Sequence, residues 1–474
     1  VTANGQVGGS SSGSGSGGSV YVFSQVFDGT NLVSATGGYA NGSSAGGGGG
    51  GRIAIHYDPA AEAAAGLKPT PILRVGSRHF GQSPYPDATS TYWMNFNVES
   101  CRAEAGTIWL ADASFVDKAF LLSLSGVLSA PGLPDAYHFD ELTLPDETKA
   151  NTAKDGNEIL FYDKTIEIDG ALMLPKYSHV RFSNCTVRVG SVLVNGGYLD
   201  VQGNSTLVVT GDLTIASTGV AQFWSGASNE TFGVAHCGQF VDVGGDLKLN
   251  DTAILYPRCE GTTGAGPVFR AQNLSVASGA KVNGFTRGYH GLTMTTQYVH
   301  GYGPGEGYNR GAAHGGMGGG PTQNTATYGD KKNPTLPGSD CGYTWSGYMG
   351  GYGGGIFRIE VARNAVVDGA ITMNGQNAYG SEGGGGAGGA VNIRCGGKFA
   401  GAGTITANGG TGGSNVSYSG NGGGGRIAIS CVHTNDWSGT AEAKAGSNTA
   451  AYKFAPTDGT VVWKLCKGLM LLVR

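Results

Sequence analysis

Carboxylate groups are the side chains of this sequence with the clearest potential for catalysis, because glycoside hydrolysis needs an acid and a base on one face. The densest acidic run, residues 140–147 (DELTLPDE), contains a proline and polar neighbours typical of a solvated loop. Asp163, Glu167 and Asp169 share one face of a predicted strand. Alternating carboxylates are typical of an outward face, so both groups are predicted to face solvent.

Three histidines, His290, His300 and His314, lie in a Gly/Tyr-rich segment and have the chemistry to bind a metal or act as a base. No regular spacing fixes their geometry, so we favour loop histidines that stack on tyrosines. The sequence has no calcium-loop spacing of aspartates, and no Gly-Lys-Ser/Thr follows its glycine runs. We therefore predict no catalytic residue, no metal site and no cofactor, and a protein that is not an enzyme.

The composition is that of a folded, weakly charged chain. Of 474 residues, 88 are Gly, 39% are hydrophobic and 14% are charged, with a net charge of -4. This hydrophobic content argues against disorder, and the charge gives no reason to expect nucleic acid as a partner. No apolar run approaches the ~20 residues of a membrane helix, and no signal peptide opens the sequence. A targeting signal for secretion is expected to lie outside it.

A short cycle of strands and glycines repeats along the chain, which is typical of stacked coils. It consists of Gly-Gly, an alternating apolar strand, a turn, a second strand ending in Asn-Gly, and a glycine-rich stretch. It includes residues 354–361 (GGIFRIEV), 371–375 (ITMNG), 388–394 (GGAVNIR), 404–409 (TITANG) and 425–429 (GRIAI). In this alignment Ile356, Val391 and Ile427 are equivalent, with spacings of 35 and 36 residues.

A longer period relates the two ends of the sequence. Residues 1–6 (VTANGQ) match 371–376 (ITMNGQ) at an offset of 370, and residues 51–55 (GRIAI) match 425–429 at an offset of 374. Arg52 and Arg426 are therefore repeat-equivalent. We favour guanidinium groups that bind backbone carbonyls at a coil corner, with a recurring contact to glycan or to a neighbouring chain as the alternative.

These patterns predict an all-β parallel β-solenoid with glycine-rich corners and long loop excursions. Glycine is expected mainly at corners and loops, where φ is positive or the backbone comes close; an extended polyglycine strand at residues 46–51 is the alternative. Helix is predicted only at residues 60–65, between Pro59 and Gly66. The predicted segments are the end of a preceding glycine-rich repeat at 1–57, an irregular β segment with insertions at 58–165, regular coils at 166–285, a Gly/Tyr/His-rich excursion at 286–355, glycine-rich coils repeating 1–57 at 356–431, and the start of the next module at 432–474.

Eight cysteines are dispersed without a Cys-x-x-Cys pair, which disfavours zinc. They are Cys101, Cys185, Cys237, Cys259, Cys341, Cys395, Cys431 and Cys466. An even number of cysteines is typical of disulfides in an oxidising compartment. Spacings of 22 and 35 residues match roughly one coil, so Cys237–Cys259 and Cys431–Cys466 are the candidate pairs. Buried free thiols are the alternative.

Seven Asn-X-Ser/Thr sites predict N-glycans and passage through the secretory pathway. They are Asn41, Asn184, Asn204, Asn229, Asn250, Asn273 and Asn415. The strongest candidates are Asn184, Asn204 and Asn250, which lie among short strands with turns nearby.

The GGRIAI, GTITANGG and GTIWL stretches resemble those of large glycine-rich surface β-helix proteins, most closely the flagellar-hair (tubular mastigoneme) and related adhesin-like proteins of heterokont algae. The resemblance implies an extracellular filament-forming or adhesive role without known chemistry.

Three functions remain open at this point. The first is an extracellular structural glycoprotein module whose copies, or adjacent modules, join head to tail in a filament or surface array. The second is a glycan-binding adhesin using exposed tyrosines such as Tyr302, Tyr308, Tyr343, Tyr348 and Tyr352. The third is a β-helix polysaccharide lyase or hydrolase.

Overall fold

The structure is a computed structural model that describes residues 1–9, 12–38, 47–76, 105–145, 158–290, 300–342, 350–447 and 452–465. Regular structure in these residues is almost entirely β. The strands are β1 (Ser19–Phe23), β2 (Leu32–Ser34), β3 (Arg52–His56), β4 (Ile72–Arg74), β5 (Thr107–Leu110), β6 (Gly126–Ser129), β7 (Ala136–Phe139), β8 (Leu142–Thr143), β9 (Glu158–Tyr162), β10 (Thr165–Leu174), β11 (His179–Ser183), β12 (Thr186–Asn195), β13 (Tyr198–Gly203), β14 (Thr206–Val209), β15 (Leu213–Ala216), β16 (Val220–Ser225), β17 (Cys237–Val243), β18 (Leu247–Leu249), β19 (Ile254–Arg258), β20 (Gly266–Ala271), β21 (Leu274–Val276), β22 (Lys281–Asn283), β23 (Ile356–Val361), β24 (Ala365–Val367), β25 (Ala370–Thr372), β26 (Ala390–Cys395), β27 (Phe399–Gly401), β28 (Thr404–Thr406), β29 (Arg426–Cys431), β30 (Asn435–Trp437), β31 (Thr440–Glu442) and β32 (Thr460–Leu465).

Two compact units divide the chain. Unit 1 contains Val1–Glu167, Met173–Cys185 and Gly197–Leu199; unit 2 contains Ile168–Leu172, Thr186–Gly196 and Asp200–Arg474. Two short helices, α1 (Pro59–Ala65) and α2 (Lys118–Ser123), lie in unit 1, and a 3-10 turn (Glu230–Phe232) lies in unit 2. No helix in the described part of the chain is long and apolar enough to cross a membrane.

Unit 1 is built on a parallel sheet in which β1, β3, β5, β6, β9 and β11 follow one another. The alternation of its sequence fixes the inward face, because Ile53, Ile55, Ile108 and Leu110 are buried. The predicted helix is confirmed as α1, but the expectation that it is the only helix was wrong, because Lys118–Ser123 are also helical. The Asp58 carboxylate accepts hydrogen bonds from the first-turn N–H groups, and Gly66 ends the helix at φ 66.

Unit 2 is a parallel solenoid, as predicted, and each regular coil contributes three strands. The first strands of successive coils form the column β14, β17, β20, β23, β26, β29 and β32. The second column is β15, β18, β21, β24, β27 and β30. The third is β16, β19, β22, β25, β28 and β31. The cycle predicted from the glycine-rich coils contained two strands in each coil. The second-column strands β24, β27 and β30 were missed because their sequences, AVV, FAG and NDW, share no pattern.

The register of the first column differs by one residue from the sequence alignment. Phe357 pairs with Val391, and Val391 pairs with Ile427. Ile356 therefore pairs with Ala390, at a spacing of 34 rather than 35 residues. A shift of one residue would turn every inward side chain outward, so burial of the Phe357 column determines the register.

Candidate functional site: the glycine layer and its buried arginine

The glycine-rich runs of unit 2 lie side by side and hydrogen-bond to one another in steps of three residues. The N–H groups of Gly385 and Gly388 donate to the carbonyls of Gly420 and Gly423. The same three-residue step recurs in three further pairs of N–H donors. Gly386 and Gly389 donate to the carbonyls of Gln376 and Met373, Gly422 and Gly425 donate to those of Gly410 and Ala407, and Gly351 and Gly354 donate to those of Gly384 and Ala387. Three residues per turn with bonds only between segments is the geometry of polyproline II helices. We call the segments 351–355, 373–377, 384–389, 407–410 and 420–425 the glycine layer.

Close approach of backbones, rather than positive φ, is the reason for glycine here. A Cβ added at Gly388 would lie 2.0 Å from the Ala407 carbonyl oxygen, and one at Gly386 would lie 2.0 Å from that of Tyr352. No glycine in segments 384–389 and 420–425 has a left-handed φ. Residues 47–51 of unit 1 behave alike, since a Cβ at Gly48 would lie 1.9 Å from the Gly15 oxygen. The expected close approach of backbones is therefore confirmed for these runs, whereas the alternative of a polyglycine strand is not, because no strand is assigned to the described residues 47–51.

Asparagine side chains connect each coil to the next at the Asn-Gly motifs. Asn374 Oδ1 accepts from Asn408 N at 2.8 Å, and Asn408 Oδ1 accepts from Lys444 N at 2.7 Å. In unit 1, Asn4 Oδ1 accepts from Thr36 N at 2.9 Å. A backbone N–H is thus satisfied by a side chain from the neighbouring coil.

The described part of the Gly/Tyr/His-rich segment after β22 packs on the glycine layer. Ala312 O accepts from Gly423 N at 2.8 Å, and Gly316 N donates to Gly424 O at 2.7 Å. Cys341 anchors the segment, because it is buried with Ala312 and Ala387. Residues 291–299 and 343–349 lie outside the described residues.

Arg426 is buried beneath this segment. Its Nε and Nη2 donate to Tyr328 O at 2.9 and 2.6 Å, and Nη1 donates to Thr460 Oγ1 at 3.3 Å. Burial lowers the pKa of the guanidinium. The favoured interpretation of Arg426, a guanidinium that binds backbone carbonyls, is confirmed. Arg52, its repeat equivalent, is exposed.

All three histidines lie beside a tyrosine, but the predicted stacking is confirmed only for His300, because the rings of His314 and Tyr328 are tilted and those of His290 and Tyr352 meet edge-on. His300 stacks on Tyr308 with ring centroids 4.7 Å apart, and His314 lies 4.8 Å from Tyr328. His290 meets the buried Tyr352 edge-on at 5.8 Å. His300 is exposed, with Nδ1 2.8 Å from Glu306 Oε1.

Burial keeps two of these histidines neutral. His314 Nδ1 lies 2.9 Å from Gly388 O and must donate to it, and burial lowers the pKa of this histidine to about 4. Burial, and then the nearby Arg258 guanidinium, lowers the pKa of His290 to about 4. Both rings contact backbone carbonyls through Nδ1, His290 with Gly288 O and His314 with Gly388 O, so we assign both histidines a structural role.

A buried arginine that the sequence analysis did not single out adjoins His290. The Arg258 guanidinium lies 4.2 Å from the centre of the Trp224 ring, and its Nη2 is 3.3 Å from His290 Nε2. Burial, together with nearby Arg287, lowers the Arg258 pKa well below its ordinary value. Arg287 itself lies 4.1 Å from the Tyr256 ring. No motif signals this cluster, because its members come from separate coils.

The tyrosines proposed for glycan binding do not form an open surface in the described residues. Tyr352 is buried, and Tyr302 and Tyr308 are half-buried. Tyr343 and Tyr348 lie outside the described residues. The expectation that Tyr352 is exposed was therefore wrong, because it packs in the glycine layer.

The candidate disulfides are not formed where both cysteines are described. Cys237 and Cys259 are free, buried thiols. Cys237 Sγ lies 3.2 Å from Gln239 O of its own strand, whereas Cys259 packs against Ile356 and Ala390. The predicted Cys237–Cys259 pair is corrected on this ground. Cys431 is buried, and Cys466, its predicted partner, lies outside the described residues.

The described glycosylation sites lie at or near the surface but differ in their hydrogen bonds. Asn184 and Asn204 are exposed, whereas Asn229, Asn250, Asn273 and Asn415 are half-buried. Asn204 Nδ2 donates to Ala227 O at 2.7 Å and to Gly238 O at 3.0 Å. Asn273 Nδ2 donates to Asp246 Oδ1, and Asn415 Nδ2 donates to Glu382 Oε1. Asn41 lies outside the described residues.

The carboxylates weighed for catalysis point to solvent. Asp140, Glu141, Asp163, Glu167 and Asp169 are all exposed. This confirms the prediction that they lie on outward faces. The end of the acidic run, residues 146–147, lies outside the described residues.

Comparison with known proteins gives no relative from which to carry over a function. No protein-family model matches the chain, and no curated protein or solved structure matches it significantly. The fold and the site together define a class: an all-β parallel solenoid in which a glycine layer, hydrogen-bonded in steps of three residues, lies beside the strand columns.

Proposed function

We propose that this protein is an extracellular structural glycoprotein module whose copies join head to tail in a filament or surface array. The observation that carries this proposal is the apolar surface at β32. Val461, Trp463 and Leu465 continue the inward column of Ile427 and Ile429, yet they are 38%, 37% and 49% exposed. A further coil would cover them, as β32 itself covers β29.

The complementary surface of this proposal is β1, which lies at one end of its sheet in unit 1. Tyr21 and Phe23 of this strand are 65% and 80% exposed. An edge strand with exposed aromatic side chains favours pairing with another chain. Contact between two different surfaces does not close on itself and therefore produces extended assemblies. The resemblance to flagellar-hair proteins supports the same role.

Sedimentation velocity of the full chain over a range of concentrations tests the assembly. The wild type is expected to form a concentration-dependent series of oligomers, and Trp463→Glu is expected to stay monomeric because a carboxylate cannot be buried unpaired. Tyr418→Glu, at a side chain that is 48% exposed elsewhere, is the matched control and should assemble normally. A wild-type monomer at every concentration would reject the proposal.

The proposed glycans are tested separately by peptide mass mapping of the natively produced protein. Glycosylation replaces one of the two Nδ2 hydrogens, and Asn204 uses both in hydrogen bonds. We therefore expect higher occupancy at Asn229 and Asn250 than at Asn204. An intact mass unchanged by glycosidase would remove the glycoprotein part of the proposal.

A further inference from the structure

Arg52 and Arg426 stand in the same backbone framework, one in each unit. Both follow a glycine run, and their strands pair onward with Thr107 and Thr460 at corresponding positions. The matching hydrogen bonds are Gly51→Ala35 and Gly425→Ala407 at 2.7 Å each, Arg52→Gly18 and Arg426→Gly389 at 2.9 Å each, and Gly48→Gly38 and Gly422→Gly410 at 2.8 and 2.9 Å. The two sites are therefore structural copies.

The copy in unit 2 is covered by an extended glycine-rich segment, residues 311–328. Gly423 N donates to Ala312 O, and Gly319 N donates to Asn421 O at 2.9 Å. Arg426 binds the Tyr328 carbonyl. A side chain at Gly311 would prevent this contact, since a Cβ there would lie 1.8 Å from the Asn421 oxygen.

The copy in unit 1 presents the same groups to solvent. Arg52 is exposed, and Gly47, Gly49 and Gly50 are half-buried. The N–H of Gly49, the counterpart of Gly423 N–H, makes no hydrogen bond with any other described residue. The surface formed by Gly47, Gly49, Gly50 and Arg52 is the Arg52 face.

We propose that the Arg52 face binds an extended glycine-rich segment of another molecule, as residues 311–328 cover the Arg426 site. The Arg52 guanidinium would donate to a backbone carbonyl of that segment, and the Gly49 N–H would donate to a second one. The occupant has glycine where it crosses Gly47 and Gly51, because the counterpart contacts leave no space for Cβ. This lateral contact does not depend on head-to-tail stacking at β32.

Fluorescence anisotropy with a labelled peptide of residues 311–329 (GAAHGGMGGGPTQNTATYG) and the full chain tests the proposal. Saturable binding is expected. Arg52→Ala should weaken it at least tenfold, and Arg52→Lys should weaken it less, because lysine keeps the charge but loses the planar fork. The Arg52 side chain is exposed, so unchanged circular dichroism and melting are expected for both variants.

Two controls make the result specific. Arg188→Ala removes an exposed strand arginine outside any glycine layer and should leave binding unchanged. A peptide carrying Gly311→Ala and Gly315→Ala should not bind, because a Cβ at Gly315 would lie 2.0 Å from the counterpart oxygen, that of Gly425. The absence of saturable binding to the wild type, or equal binding to Arg52→Ala, would overturn the proposal.

Discussion

The strand columns and the glycine layer of unit 2 belong to the same coils but pack in different ways. In the columns, side chains such as Phe357, Val391 and Ile427 stack in register and exclude water. In the glycine layer, peptide groups provide both the packing surface and the hydrogen bonds. The first depends on apolar area, and the second depends on the absence of side chains.

The two regions therefore respond differently to amino-acid substitution. A packed column loses energy in proportion to the volume removed, because neighbours relax only partly. The glycine layer has no volume to remove, and it fails when a single methyl group is added. Glycine content that would weaken an ordinary strand is here the condition for packing.

The largest expected effect comes from adding a methyl group to the glycine layer. Gly388→Ala places Cβ against the Ala407 oxygen and should destabilise the protein by more than about 4 kcal/mol or prevent folding. Gly66→Ala, at φ 66 with open space around it, should cost only about 1–2 kcal/mol. Urea unfolding measures both, and equal costs would show that conformation rather than close approach selects glycine.

A matched change in the columns should cost somewhat less. Phe357→Ala removes a fully buried ring that lies 5.6 Å from Phe269, with an expected loss of about 3–5 kcal/mol. Val366→Ala, in the same coil but 36% exposed, should cost less than about 1 kcal/mol. The same unfolding measurement applies, and a folded Phe357→Ala protein of unchanged stability would contradict the assigned register.

The stability of the protein is expected to depend on pH through His290 and His314, the two neutral histidines beside the glycine layer. Their folded pKa values of about 4 lie below the ordinary value, so the unfolded chain takes up protons first as pH falls. As the pH falls from ~6.5 to ~4, protonation of each histidine in the unfolded chain lowers the free energy of unfolding by about 3 kcal/mol. Above pH ~6.5 this loss is absent.

His314→Gln should reduce this loss of stability, whereas His300→Gln, at an exposed ring, should retain it. Urea midpoints at pH 7 and pH 4.5 report the difference. Identical pH profiles for the wild type and His314→Gln would contradict the buried, neutral state of His314.

The smallest expected effect concerns the asparagine contacts between coils. Asn408→Ala leaves Lys444 N without its acceptor and should cost about 1 kcal/mol. Asn435→Ala removes only a bond to Trp437 N within the same strand, β30, and should cost less than about 0.5 kcal/mol. Thermal melting distinguishes them, and the reverse order would show that these contacts do not stabilise stacking.

Alternating apolar residues and the repeats of GRIAI and TITANG were enough to predict a parallel solenoid. They also made Arg52 and Arg426 equivalent. The alignment of Ile356 with Val391 was wrong by one residue because both strands begin with two buried apolar side chains, Ile356–Phe357 and Ala390–Val391. Periodicity alone does not choose between the two registers.

The glycine layer could not be predicted from local pattern, because its bonds join distant segments such as Gly423 and Ala312. Because glycines have no side chains, a run of them has no pattern of polar and apolar residues from which the three-residue period could be predicted. The burial of Arg426 likewise depends on a distant segment, residues 311–328, whereas Arg52 is exposed. Only the histidine–tyrosine contacts followed from composition.

X-ray diffraction from oriented assemblies of the purified protein tests head-to-tail stacking most directly. Coils that continue from copy to copy place strands perpendicular to the long axis, so a reflection at about 4.8 Å is expected along that axis. Trp463→Glu should abolish the oriented assemblies and the reflection together. Wild-type assemblies whose strand reflection lies across the long axis, or a protein that stays monomeric, would contradict the proposal.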